Sequence, residues 1–81
     1  MATVLMLGRL RDVAGWRERT LDPPPATLSA LRALLTREDP ALGEALAGKG
    51  VQTALNKAVV RADAAIAPGD EIAFLPPMSG G

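Results

Sequence analysis

The sequence predicts a small α+β domain in which a helix covers one face of a mixed, twisted sheet. Three observations carry that prediction. Apolar stretches near the two ends, Val4-Leu5-Met6-Leu7 and Glu71-Ile72-Ala73-Phe74-Leu75, have the length and composition of strands. Between them Leu28, Leu31, Leu34 and Leu35 recur at helical spacing. The order of elements is β-β-α-(α)-β-β-β, with no internal repeat and no linker. The chain has 81 residues, the length of one domain.

Taken in order, Val4–Leu7 is apolar at every position, which suits a central strand covered on both faces. Leu10-Arg11-Asp12-Val13-Ala14 reads as one helical turn closed by Gly15. Arg17-Glu18-Arg19-Thr20-Leu21 reads as an edge strand, because charged side chains discourage pairing with a neighbouring molecule. Pro23-Pro24-Pro25 is a rigid spacer that aims the next helix. Thr27 is a suitable N-cap, and the leucine stripe that follows it is core, with Arg32 and Arg37 pointing elsewhere. Pro40 ends this helix, since the residue before a proline avoids the α region. Asp39 and Pro40 also suit the N-cap and first position of a shorter helix, with Leu42 and Leu46 inward.

Gly48-Lys49-Gly50 lacks the remaining elements of a phosphate loop and reads as a helix end plus a turn. Val51–Leu55 alternates as a strand, Asn56-Lys57 turns, and Ala58-Val59-Val60 returns. Ala67-Pro68-Gly69-Asp70 places proline and glycine where a type II turn needs them. In the last strand Ile72 and Phe74 share one face, and Ala73 and Leu75 the other. The first and last strands are the most apolar, so they belong side by side at the sheet centre, and the helical connection lets them run parallel. This is the β-grasp arrangement, with one main and one short helix on one face of the sheet.

Composition narrows the function classes. Nine basic and nine acidic side chains give a net charge of zero, with no basic stripe along the sequence to follow nucleic acid or an anionic membrane. There is no cysteine and no histidine, which removes thiolate chemistry, the usual general base and the commonest neutral metal ligands. No metal site is expected. The N-terminal apolar run is too short for a signal-peptide core and no stretch approaches a membrane span, so a cytoplasmic location is expected.

The C-terminal stretch Phe74-Leu75-Pro76-Pro77-Met78-Ser79-Gly80-Gly81 carries the functional signal. Proline gives no N–H to a ladder, so the strand stops at Leu75. Two prolines then stiffen the exit, and Gly80 and Gly81 can enter a slot too narrow for other residues. Residues 1–75 form the domain on this reading, and 76–81 a projecting tail that presents an α-carboxylate to another protein. With Ile72 and Phe74 turned to the helix, Leu75 and Val59 are expected to contribute to a partner-binding patch on the other face.

Leu10-Arg11-Asp12-Val13-Ala14-Gly15, Thr27-Leu28-Ser29-Ala30-Leu31, Ala54-Leu55-Asn56 and the block from Pro68 to Gly81 resemble the small-subunit family of molybdopterin synthase, a ubiquitin-like sulfur-carrier family. The resemblance runs over essentially the whole chain, and the terminal block is its specific part. It implies that Gly81 is adenylated by a ubiquitin-activating-type enzyme at the expense of ATP and converted to a thiocarboxylate with sulfur from a donor protein. It further implies that Pro76, Pro77, Met78, Ser79 and Gly80 form the segment inserted into a large subunit, in an assembly of two small and two large chains. There the sulfur passes to cyclic pyranopterin monophosphate during molybdenum cofactor biosynthesis. Ser79 stands where the family often has threonine, and Met78 where valine is common. No cofactor is bound by the chain itself on this reading, and the catalytic residues lie in the large subunit.

The residue chemistry agrees. Without a thiol, the terminal carboxylate is the group left to be made into a sulfur donor, and without histidine the chain is a carrier rather than a catalyst. Three alternatives stand beside this reading. The thiamine-pathway sulfur carrier shares the fold and the glycine pair but usually lacks the Phe-Leu-Pro-Pro entry. A ubiquitin-like protein tag would have only Lys49 and Lys57 for chain building. The third alternative is an interaction module with an inert tail.

Overall fold

The structure is a computed structural model that describes residues 1–77. Five strands form one mixed sheet in the order β2-β1-β5-β3-β4. They are β1 (Ala2–Met6), β2 (Glu18–Leu21), β3 (Gln52–Leu55), β4 (Ala58–Val60) and β5 (Glu71–Leu75), with helices α1 (Arg9–Ala14), α2 (Leu28–Glu38) and α3 (Pro40–Leu46). β1 and β5 lie parallel and central, with Val4 opposite Ile72 and Met6 opposite Phe74. β2 is an antiparallel edge on β1, and β3 joins β5 and β4 antiparallel. The β-grasp expectation holds, and the helical turn expected before Gly15 is the six-residue α1, capped by that left-handed glycine.

The core lies between the inner sheet face and the helices. Val4, Met6, Ile72 and Phe74 from the sheet meet Leu28, Leu31 and Leu35 of α2 and Leu42 and Leu46 of α3. Each such buried side chain contributes about 2 kcal/mol of transfer free energy. Thr27 accepts a hydrogen bond from Ala30 N, and Asp39 accepts one from Leu42 N, so both helices start at their expected caps. α3 packs close to α2 at Gly43, where a Cβ would fall 2.4 Å from Thr36 Oγ1. Asn56 and Lys57 both have positive φ, as a two-residue hairpin between right-twisted strands requires.

Four sequence expectations are corrected. β1 runs Ala2–Met6 and not Val4–Leu7, and only one of its faces is covered: Ala2, Val4 and Met6 are buried, Thr3 and Leu5 half-buried. Among the described residues no helix lies over the second face, so an apolar residue there is a surface feature. β3 does not alternate, because Thr53 and Ala54 are both buried. Thr53 faces the helices, and the small Ala54 is shaded among its neighbours on the other face. Leu34 is only half-buried, at the margin of the α2 stripe. Arg32 does not simply point away: its guanidinium donates to Thr53 Oγ1 and lies 6.0 Å from the Phe74 ring centroid. Its long stem lets an exposed helical position reach back to the sheet.

Candidate functional site

β5 ends at Leu75, opposite Gln52 of β3, and the chain leaves the sheet through Pro76 and Pro77. Neither proline has an N–H, so the ladder closes here and the exit direction is set by packing. Pro76 is half-buried. It lies against Gly8, where a Cβ would fall 2.8 Å from Pro76 Cγ. Pro77 lies against Gly50, where a Cβ would fall 3.0 Å from Pro77 Cβ. Both glycines have positive φ, 56° and 87°, which L side chains rarely adopt. The β1–α1 and α3–β3 connections thus hold the two prolines from two sides. A groove of about 230 Å³ adjoins them, lined by Arg9, Leu10, Val13, Ala45, Gly48 and Val51 together with the prolines.

The sheet face turned away from the helices surrounds the same exit. Leu5, Ala73, Ala54 and Val59 fall in one row across β1, β5, β3 and β4 by register. Leu75 lies one step nearer the exit on the same face, and Leu7 continues the parity of Thr3 and Leu5 beside it. Leu5, Ala73 and Leu75 are half-buried, while Leu7 and Val59 are 38% and 48% exposed. Together they form an apolar band on the open face beside the exit of the chain.

The expected partner residues Leu75 and Val59 share this face, but two strands apart, with Gln52 and Ala54 of β3 between them. Leu5 and Leu7, missed as surface residues, complete the patch on the β1 side. Their signal was the period-two continuation along the first strand. Gly8 and Gly50 were also missed, and nothing local in the sequence marks their contacts with residues 76 and 77. Met78, Ser79, Gly80 and Gly81 lie outside the described residues.

The opposite end of the sheet is stitched by polar groups. Asn56 donates from Nδ2 to Asp70 Oδ1 and accepts from Glu71 N, while Ala67 N donates to Asp70 Oδ2. The Asn56 amide, and then the Ala67 N–H, hold the Asp70 carboxyl below its ordinary value. The cleft at this end is lined by Asn56, Lys57 and Glu71 and contains no nucleophile–base pair. Among the described residues no three carboxylates, histidines or cysteines gather to hold a metal, and no helix is long and apolar enough to cross a membrane.

Comparisons with known proteins agree with this geometry. The molybdopterin synthase sulfur carrier subunit of Haemophilus influenzae is 32% identical over 81 residues, covering 100% of both chains. Its Escherichia coli counterpart is 30% identical over the same span and coverage. Among solved structures, SAMP1 of Haloferax volcanii superposes with a TM-score of 0.82 and 29% identity over 99% of this chain and 98% of its own. The profile of the ThiS family matches residues 4–81. From its mixed sheet to its glycine pair, this chain belongs to the ThiS family of ubiquitin-like sulfur carriers.

Proposed function

We propose that this chain is the sulfur-donating small subunit of a molybdopterin synthase, with Gly81 as the sulfur-bearing residue. The observation that carries the reading is the coincidence of an open apolar sheet face with the exit of a Pro-Pro-…-Gly-Gly end, in a chain that has no thiol. The whole-chain likeness to two molybdopterin synthase sulfur carrier subunits supports it. In the first step a Gly81 carboxylate oxygen attacks the α-phosphorus of ATP in an activating enzyme, and pyrophosphate leaves. A sulfur nucleophile supplied through a donor protein then displaces AMP, and one carboxylate oxygen is replaced by sulfur.

Docking of the large subunit on Leu5, Leu7, Ala73, Leu75 and Val59 brings the tail to its active site. There the thiocarboxylate sulfur attacks a carbon of the pterin precursor and displaces an oxygen from it. Water then hydrolyses the resulting thioester, which leaves the sulfur on the pterin and releases the carrier as carboxylate. A dithiolene needs two sulfurs, which is consistent with two small chains per assembly. The chain supplies the nucleophile, and proton transfers fall to the partner. Gly80→Val tests the tail: it leaves thermal stability unchanged and blocks sulfur transfer, because a β-branched side chain needs width and restricts φ/ψ. Deletion of Gly81 abolishes transfer. Wild-type activity from either variant contradicts the reading.

A second reading has one specific observation in its favour, the structural likeness to small archaeal modifier protein 1. Under it, Gly81 forms an amide with a lysine of another protein. Incubation with activating enzyme, ATP and a sulfur source, followed by mass analysis, separates a thiocarboxylate from a conjugate.

A further inference from the structure

The net charge of zero conceals a polar distribution that appears only in the folded chain. Four cations from four separate segments converge on the end from which the tail leaves. Arg9 lines the groove beside Pro76 and Pro77. Lys49 sits between Gly48 of that groove and Gly50, which contacts Pro77. Arg17 receives the Met6 N–H at its carbonyl, level with the end of β1. Arg61 follows Val60, whose partner Thr53 faces Phe74, and is therefore level with Leu75. All four side chains are exposed. Among the described residues the only ion pair joins Arg19 to Glu38, so none of the four is neutralised by one.

α1 adds one further cation, Arg11, and one carboxylate, Asp12. The opposite end is reversed. Asp22 follows β2, and Asp70 and Glu71 open β5, with Lys57 as the cation in their company.

We infer that Arg9, Lys49, Arg17 and Arg61 form an electrostatic collar around the tail exit, which fits a protein partner whose slot mouth is rimmed by Asp and Glu. The inference rests on the reading that a partner receives the tail, and adds the chemistry of that partner's rim. The collar favours a protein over nucleic acid for two reasons. Its cations encircle an apolar centre of Leu7, Leu75, Pro76 and Pro77 instead of following a line. Phe74 is buried, so no series of exposed aromatic rings is available for stacking bases. Four like charges around an insertion point orient the approach as well as attract, because the acidic far end is repelled by the same rim. Steering of this kind acts on association rates and fades with salt.

The test is stopped-flow association of the full chain with its cognate molybdopterin synthase large subunit at low and high ionic strength. Arg9→Glu combined with Lys49→Glu lowers the association rate roughly tenfold at low salt. It changes the dissociation rate by about twofold or less, and its association rate converges with wild type at high salt. Arg61→Glu, just past β4, repeats the effect in smaller measure and guards against a disturbance of α1 by the paired change. Lys57→Glu at the far end leaves the rate within about twofold. A wild-type rate that ignores salt, or a pair variant that associates like wild type at low salt, overturns the collar while leaving the docked carrier reading intact. If the wild-type chain does not bind the large subunit at all, both readings fall.

Discussion

The two faces of the sheet are built from the same five strands and often from adjacent residues, yet they meet different requirements. On β5, Ile72 and Phe74 are fully buried under the helices, while Ala73 and Leu75 remain half-buried on the open face. On β1, Val4 and Met6 are sealed, while Leu5 stays half-buried and Leu7, just past the strand, is exposed. The inner face is apolar because a small domain must bury what it can; one of this size buries only about 60% of its unfolded surface. The outer face carries an apolar band, from Leu5 and Leu7 through Ala73 and Leu75 to Val59, that no helix of the described residues covers. Inner residues therefore answer to stability, and outer residues, on the proposed reading, to a partner.

The largest expected effect is on the inner face. Phe74→Ala removes the largest fully buried side chain and destabilises the domain by about 3–5 kcal/mol, measured by denaturant unfolding. A loss below about 1 kcal/mol would mean that the core is not organised around β5. One residue further, Leu75→Asp reverses the pattern. Unfolding free energy changes by less than about 1 kcal/mol, while affinity for the large subunit is lost by titration calorimetry. Undiminished binding would remove the outer face from the account. Leu5→Asp and Val59→Asp then map the extent of the patch, and the account predicts a weaker effect at Val59, two strands from Leu75.

Smaller effects concern the polar stitching at the far end. Asp70 is held below the ordinary carboxylate value by Asn56 and Ala67. Its contribution is complete above the unfolded-state value and is lost as pH falls through the lowered folded one. In the wild type, stability therefore declines on the acid side, and Asp70→Asn flattens part of that decline in urea midpoints measured against pH. The smallest effect belongs to the exposed Arg19–Glu38 pair, where Glu38→Gln costs less than about 1 kcal/mol and the cost fades with added salt.

Much of this was legible in the sequence because local chemistry and global fold agree. The leucine spacing of α2, the caps Thr27 and Asp39, the turn at Asn56-Lys57 and the proline stop after Leu75 each identify an element by a single physical rule. What was not legible depends on contacts across the chain. A continuous apolar run at Val4–Leu7 looks the same whether one face or both are covered, so the part that Leu5 and Leu7 take in the open face was hidden. Thr53 and Ala54 are both buried because the first accepts from Arg32 and the second is shaded by its neighbours, which no alternation rule anticipates. The glycines that hold Pro76 and Pro77 and the convergence of Arg9, Arg17, Lys49 and Arg61 arise only when distant segments are brought to one end.

On the proposed reading the terminal carboxylate carries sulfur to a partner seated on the open face. The most direct measurement is thiol-directed alkylation of the protein before and after incubation with ATP, its activating enzyme and a sulfur source. The resting chain has no cysteine and takes up no label. After activation the account predicts one label per chain, recovered on the peptide that contains Gly81 and consumed on addition of the large subunit with its pterin precursor. No label after activation, or Gly81 found in an amide bond to another protein's lysine, would contradict it.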